Sequence, residues 1–145
     1  MDFELTEDQQ TIERAVADLA AKFDDNYWAD KDQSHEFPWE FYKAFADAGW
    51  VGIAVPEEHG GTGLGIFEAA LMMQAIAASG GGQSASSAIH MSIFGMHPVI
   101  KHGSDAMKAA TLPTSASEVN RFNCVLRCNQ AMSSARVMPL ADPVP

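Results

Sequence analysis

Three histidines, a run of serines, a pair of glutamates and two cysteines are the residues whose types could do chemistry. His90 and His97 share a helical face, but seven residues of helix hold them roughly 10 Å apart. One metal with bonds near ~2 Å cannot take both from a straight helix. His102 adds no His-Glu-x-x-His pattern, so surface or hydrogen-bonded histidines are expected, and no metal. Ser84, Ser86 and Ser87 have no nearby histidine and acid to make a nucleophile. Glu57 and Glu58 could transfer protons as a carboxylate pair. Two acids in a turn more often sit in solvent or cap the next element. Met72-Met73 is core filler. Cys124 and Cys128 are too few for a disulfide scaffold or a four-ligand zinc site, which fits a reducing cytoplasm. None of these residues is assigned a catalytic role.

The glycine-rich stretch from Gly49 to Gly65 is more informative, holding six of the chain's eleven glycines. Trp50 to Val55 is apolar and partly β-branched and reads as a short buried extended segment. Gly60-Gly61-Thr62-Gly63-Leu64-Gly65 then has glycine where a backbone needs positive φ or a close neighbour. No Gly-Lys-Ser/Thr follows, and the glycines do not fall at the first, third and sixth positions of a dinucleotide fingerprint. Phosphate binding by this loop alone is not expected.

The elements that must position these residues read as helices. Thr6-Glu7-Asp8-Gln9 is a capping box, and Ile12, Ala15, Val16, Leu19 and Phe23 follow on one helical face. Residues 24–37 are polar and acidic, an exposed connection with a turn or two of helix. Pro38 suits the start of a helix whose apolar face is Phe41, Tyr42, Phe45 and Ala48, and Gly49 suits its C-terminal cap. Ile66 to Ser79 is apolar nearly all round, as in a central helix, and Gly80-Gly81-Gly82 ends it. A helix from Ser84 to His97 carries Ile89, Ile93, Met96 and Ile100 as one core stripe, with Pro98 kinking or ending it. Ser87, His90, Met91 and Phe94 fall on roughly the opposite face. Asp105 to Thr111 is a last short helix, stopped by Leu112-Pro113.

The expected fold is all-α, a bundle of four to five main helices over residues 1–113, followed by an irregular tail over 114–145. The 145 residues suffice for one core. Residues 1–60 hold fifteen acids and four bases, whereas residues 61–145 hold four acids and five bases. An acidic first half argues against nucleic acid. No segment has the apolar length of a membrane span, and the N-terminus lacks the basic flank and apolar core of a signal peptide.

Pro56-Glu57-Glu58-His59-Gly60-Gly61-Thr62-Gly63-Leu64-Gly65 resembles the loop in the N-terminal domain of the flavin-dependent acyl-CoA dehydrogenases of fatty-acid metabolism. Glu36-Phe37-Pro38-Trp39-Glu40 and Ala48-Gly49-Trp50 upstream extend the resemblance. So do His97-Pro98-Val99-Ile100-Lys101-His102-Gly103-Ser104, Lys108 and Leu112-Pro113 downstream, and Phe3-Glu4-Leu5-Thr6-Glu7-Asp8-Gln9 at the start. It covers about residues 2–118. It implies an oxidoreductase with FAD as cofactor and acyl-CoA as substrate. A glutamate removes the α-proton, and a hydride leaves the β-carbon for flavin N5. It also implies that the helix after the triple glycine lines the acyl tunnel, through Ser86, Ser87, His90, Met91 and Phe94. No flavin-contacting residue of this chain is assigned by it.

Beyond residue 118 the resemblance fails. The family's β-rich middle domain, which supplies most flavin contacts, would begin near a Cys-Phe-Gly-Val-Thr motif. Here Val125-Leu126-Arg127-Cys128-Asn129-Gln130 can be encoded so that a one-base shift spells that motif. The expectation is a truncation or frameshift after residue 118, leaving an N-terminal helical domain inactive by itself. Residues 119–145 have no periodic face and are expected to be poorly ordered or to carry only isolated short structure. Two alternatives remain at this point: a helical interaction module that self-associates or docks on full-length dehydrogenases, and an inert remnant.

Overall fold

The computed structural model describes residues 4–117. Those residues are all-α, as expected: α1 (Glu7–Ala20), α2 (Asp25–Ser34), α3 (Trp39–Asp47), α4 (Ile66–Ala77), α5 (Gly82–Ile93), α6 (His97–His102) and α7 (Asp105–Ser117). Short 3₁₀ turns occupy Trp50–Gly52 and Glu57–His59. The expectations for residues 118–145 and their reading frame fall outside the described residues, whereas residues 114–117, expected to open the irregular tail, continue α7.

The capping box forms. Gln9 N donates to Thr6 Oγ1 at 3.2 Å and Thr6 N donates to Gln9 Oε1 at 3.1 Å. The same Gln9 reaches further, its Nε2 donating to Glu68 Oε1 at 3.1 Å. Glu68 stands in the first turn of α4, whose N-cap, Gly65, has no side chain to cap with. The Gln9 amide, then the backbone amides of Glu68 and Gly65, hold the Glu68 carboxyl below the usual carboxylate range. One glutamine therefore serves two helix starts, and α1 lies along α4.

Residues 24–37 form more helix than expected. Asp24 caps α2 by accepting from Tyr27 N at 2.9 Å, and His35 ends it in the left-handed region at φ 56°. Exposed acids conceal the reason for this helix in the sequence, which is one buried side chain, Trp28. Its Nε1 donates to Phe23 O at 3.1 Å, and its ring meets Phe41 edge-on at 5.0 Å. Phe23 in turn meets Tyr27 at 5.0 Å and Phe41 at 5.1 Å, also edge-on. The indole lies against the turn between α4 and α5, where a Cβ added to Gly81 would stand 2.3 Å from Trp28 Cε2. The triple glycine thus admits Trp28 as well as ending α4.

Three further expectations are corrected. Trp50 to Val55 is buried at Val51, Ile53 and Val55, but it is not extended. Gly49, at φ 81°, turns the chain out of α3 into a 3₁₀ turn, in which Gly52 N bonds Gly49 O and Ile53 N bonds Trp50 O. With no strand beside it among the described residues, the segment satisfies its backbone locally. α5 stops at Ile93, and Pro98 stands in the first turn of α6, where its missing N–H costs nothing. α7 passes through Leu112-Pro113 to Ser117. Leu112 is fully buried with Val55, Met96 and Val99, and that burial outweighs the one hydrogen bond Pro113 omits.

α4 is not buried all round. Ala69, Met72 and Ile76 enter the main core with Val16, Phe45 and Ile89, while Phe67, Ala70, Gln74 and Ala77 are exposed. Uniform apolar composition reads as centrality in a sequence, but here one uncharged stripe faces outward.

Gly81→Ala forces the Trp28 indole from its seat and should lower the unfolding free energy by about 1–3 kcal/mol. Chemical denaturation measures it. Because Glu68 titrates lower folded than unfolded, its contribution is present above the unfolded carboxylate pKa and is lost as pH falls through the folded value. The stability gap between wild type and Glu68→Gln should therefore be present at neutral pH and close in acid.

Candidate functional site

The glycine loop is occupied with its own structure. Gly61 N donates to Pro56 O, Thr62 N to Gly52 O and Gly63 N to Val55 O, at 2.9 to 3.2 Å, and Thr62 Oγ1 donates to Ile53 O at 3.0 Å. A Cβ on Gly61 would lie 2.1 Å from Val55 O. These amides close the loop over the Trp50–Gly52 turn and leave no cradle for a phosphate at Gly61 to Gly63. Glu57 and Glu58 are exposed, and His59 Nε2 lies 3.6 Å from Glu58 Oε1. They form a turn, as the bland reading of that pair expects.

α5 has two faces. Ala85, Ile89 and Ile93 enter the core, and Ser92, behind them, joins Tyr42 of α3 through a buried hydroxyl pair at 3.1 Å. On the other side Met91 and Phe94 are each 40% exposed, and Ser87 and His90 are half-buried beside them. Gln83 Nε2 donates to Ser87 Oγ at 3.1 Å, and His90 Nδ1 lies 3.2 Å from Ser87 O. Ser86 sits at the edge, its Oγ bonded back to Gly82 O at 3.0 Å. The helix therefore brings Ser87, His90, Met91 and Phe94 together on one outward strip, with Ser86 turned aside.

An open groove of about 820 Å³ runs between α2 and the first half of α5. Its wall includes Ser87, with Ser84 and Ala88, but not Ser86, His90, Met91 or Phe94. Its other side is Trp28, Lys31, Asp32 and His35 of α2, together with Phe37 and Pro38. Trp28, Lys31, Asp32 and His35 were not singled out in the sequence, and the signal for them was an apolar Trp28 alone among charges. Lys31 is already engaged, 3.2 Å from Glu40 and 3.7 Å from Glu36. Glu40's own backbone amide and then Lys31 hold the Glu40 carboxyl below its usual range. Tyr27 donates to Glu40 at 3.1 Å, and burial first, then this carboxylate, push its hydroxyl up to about 12. The network fastens α2 to α3.

Among the described residues no group of His, Cys, Asp and Glu is placed to hold a metal, and every buried side-chain polar atom has a partner. No helix among them is long and apolar enough to cross a membrane.

Residues 6–118 match the family described as acyl-CoA dehydrogenase, N-terminal domain. The acyl-CoA dehydrogenase FadE12 of Mycobacterium tuberculosis is 33% identical over 111 residues, covering 74% of this chain and 27% of its own length. The Bacillus subtilis protein named "Probable acyl-CoA dehydrogenase YngJ" is 33% identical over 117 residues, 81% of this chain and 30% of its own. Mitochondrial isovaleryl-CoA dehydrogenase of Pongo abelii is 32% identical over 115 residues, 75% and 26%. The chain thus spans under a third of the length of these relatives. No solved structure matches.

Proposed function

Because the chain belongs to the acyl-CoA dehydrogenase family, through the N-terminal domain that residues 6–118 match, we propose that it is the helical domain of an enzyme that introduces an α,β double bond into acyl-CoA thioesters. Its role there is to bound the acyl group. The observation that carries this is the outward strip of α5, where Met91 and Phe94 supply apolar surface with Ser87 and His90 between them. A helix with one face in the core and a second, mixed face can hold the fold and line a pocket together. Ser86 contributes least, since its hydroxyl is returned to its own helix.

FAD is the cofactor the family implies, and it would supply hydride acceptance. The described residues do not fit a flavin site of their own. The glycine-loop amides at Gly61, Thr62 and Gly63 are spent on Pro56, Gly52 and Val55, and no buried polar side-chain atom is left without a partner. The catalytic glutamate and most flavin contacts belong, by the resemblance, to parts of the enzyme that residues 6–118 do not match. The described residues are therefore read as one wall of the acyl site, without its reacting groups.

Absorbance and turnover of the purified chain test this together. The chain should be colourless and leave an electron acceptor oxidised with any acyl-CoA. Joined in frame to the remaining domains of a dehydrogenase, it should be yellow and active. In that enzyme His90→Leu or Phe94→Ala should shift the ratio of kcat/KM between acyl chains of different length by about tenfold or more. A yellow 145-residue chain that turns over acyl-CoA would contradict the proposal.

A further inference from the structure

One ring on the outward strip of α5 has its hydrogen-bonding roles fixed by the helix itself. His90 Nδ1 lies 3.2 Å from Ser87 O, almost one turn back on the same helix. A carbonyl oxygen can only accept, so Nδ1 carries the proton and donates. In the neutral imidazole the other nitrogen, Nε2, is then an acceptor. It meets no hydrogen-bond donor among the described residues. Every buried side-chain polar atom there has a partner, so the unpartnered Nε2 lies on the open side of this half-buried ring, within reach of a ligand.

The surroundings decide what chemistry meets it. Met91 follows His90 directly and Phe94 stands one turn further on, and each is 40% exposed. No Asp, Glu, Lys or Arg occurs from Ala69 to Ile100. Glu68, just before that stretch, accepts from Gln9 and keeps to its own helix start. An ammonium group would find no counter-charge on α5, and a carboxylate would set acceptor against acceptor. A plain alkyl chain laid over the strip would strip water from Nε2 and return nothing, and that loss exceeds the net worth of one hydrogen bond. A neutral hydroxyl satisfies both sides. It donates to Nε2 while the carbons beside it rest on Met91 and Phe94.

We propose that the acyl group received by this wall carries a hydroxyl beyond its β-carbon, and that His90 Nε2 is the acceptor that recognises it. The reaction proposed above takes hydrogens from the α- and β-carbons, so the recognised hydroxyl sits further along the chain. The proposal rests on that acyl-wall reading and adds the substrate class to it. A site that hydrogen-bonds a substrate hydroxyl discriminates against the analogue lacking it, because the site's own polar group is then left unpaired. His90 therefore sets specificity and takes no part in the bond-breaking steps.

A long-range proton–nitrogen NMR spectrum of the labelled chain, at about pH 8.5 where an ordinary imidazole is neutral, reads the tautomer directly. His90 should show a protonated Nδ1 and a bare Nε2, and a proton on Nε2 would overturn the proposal. The chain is then titrated with a saturated medium-chain acyl-CoA and with counterparts bearing one hydroxyl at each carbon past the β-carbon in turn. At least one hydroxylated ligand should bind on the order of fivefold tighter than the saturated one and move the Nε2 resonance. His90→Leu should abolish that preference, and His90→Gln, whose amide oxygen keeps an acceptor near the Nε2 position, should retain part of it. Circular dichroism should show both variants as helical as the wild type. Equal affinities with Nε2 unmoved, while Met91 and Phe94 respond to every ligand, would overturn this proposal and leave the acyl wall standing. A preference that survives His90→Leu would overturn it too, since the hydroxyl would then be met elsewhere. No response of α5 to any of the ligands would overturn the wall reading itself, and this proposal with it.

Discussion

The indole of Trp28 and the backbone of Gly81 occupy adjoining space with no room for a methyl group between them. Much of the rest depends on that approach. It seats α2 against the turn that joins α4 to α5, and it places Trp28 where Phe41 of α3 can meet it edge-on. α2 has no other fully buried residue and carries acids along its exposed surface. Without a partner this close it would have little reason to fold. Interiors are filled to crystal-like density, so a turn that must touch an indole has to surrender its own side chains. The glycines are the consequence.

A second constraint acts at the opposite end of the hairpin. α4 begins at a glycine that cannot cap it, so Glu68 turns back on its own helix start, steadied by Gln9 from α1. The hairpin is thus held at its turn by an aromatic ring and at its open end by a hydrogen-bonded carboxylate. Its inner face completes the core with Met72, Ile76, Ile89 and Ile93. The face left over carries no charge at all, while the acids of the chain collect on α1 to α3. One surface is kept in water by its charges, and the other is free to be covered.

Local signals in the sequence carried far. Thr6 and Gln9 stand at capping-box spacing, and Gly49 follows an amphipathic run at the point where a left-handed residue ends a helix. The opposed faces of α5 could be drawn from residue spacing alone, because Ile89 and Ile93 fall far around the helix from Ser87, Met91 and Phe94. What could not be read were effects set by distant partners. Trp28 stands among charges, and nothing local shows that its neighbour is fifty-three residues away at Gly81. Trp50 to Val55 has strand-like composition, but among the described residues no neighbouring strand receives its hydrogen bonds. Pro113 breaks a helix only if Leu112 has nowhere better to be. The groove between α2 and α5 was missed for the first of these reasons, since it exists only once α2 does.

On the function proposed above, α5 serves the fold with one side and a ligand with the other, while the glycine loop serves the fold alone. Backbone amide NMR of the labelled chain, titrated with a medium-chain acyl-CoA, separates these roles residue by residue. Shift changes confined to the Ser87, His90, Met91 and Phe94 side of α5, with Gly60 to Gly65 unmoved, are the predicted result. Changes centred on the glycine loop, or none on α5 at saturating ligand, would contradict it.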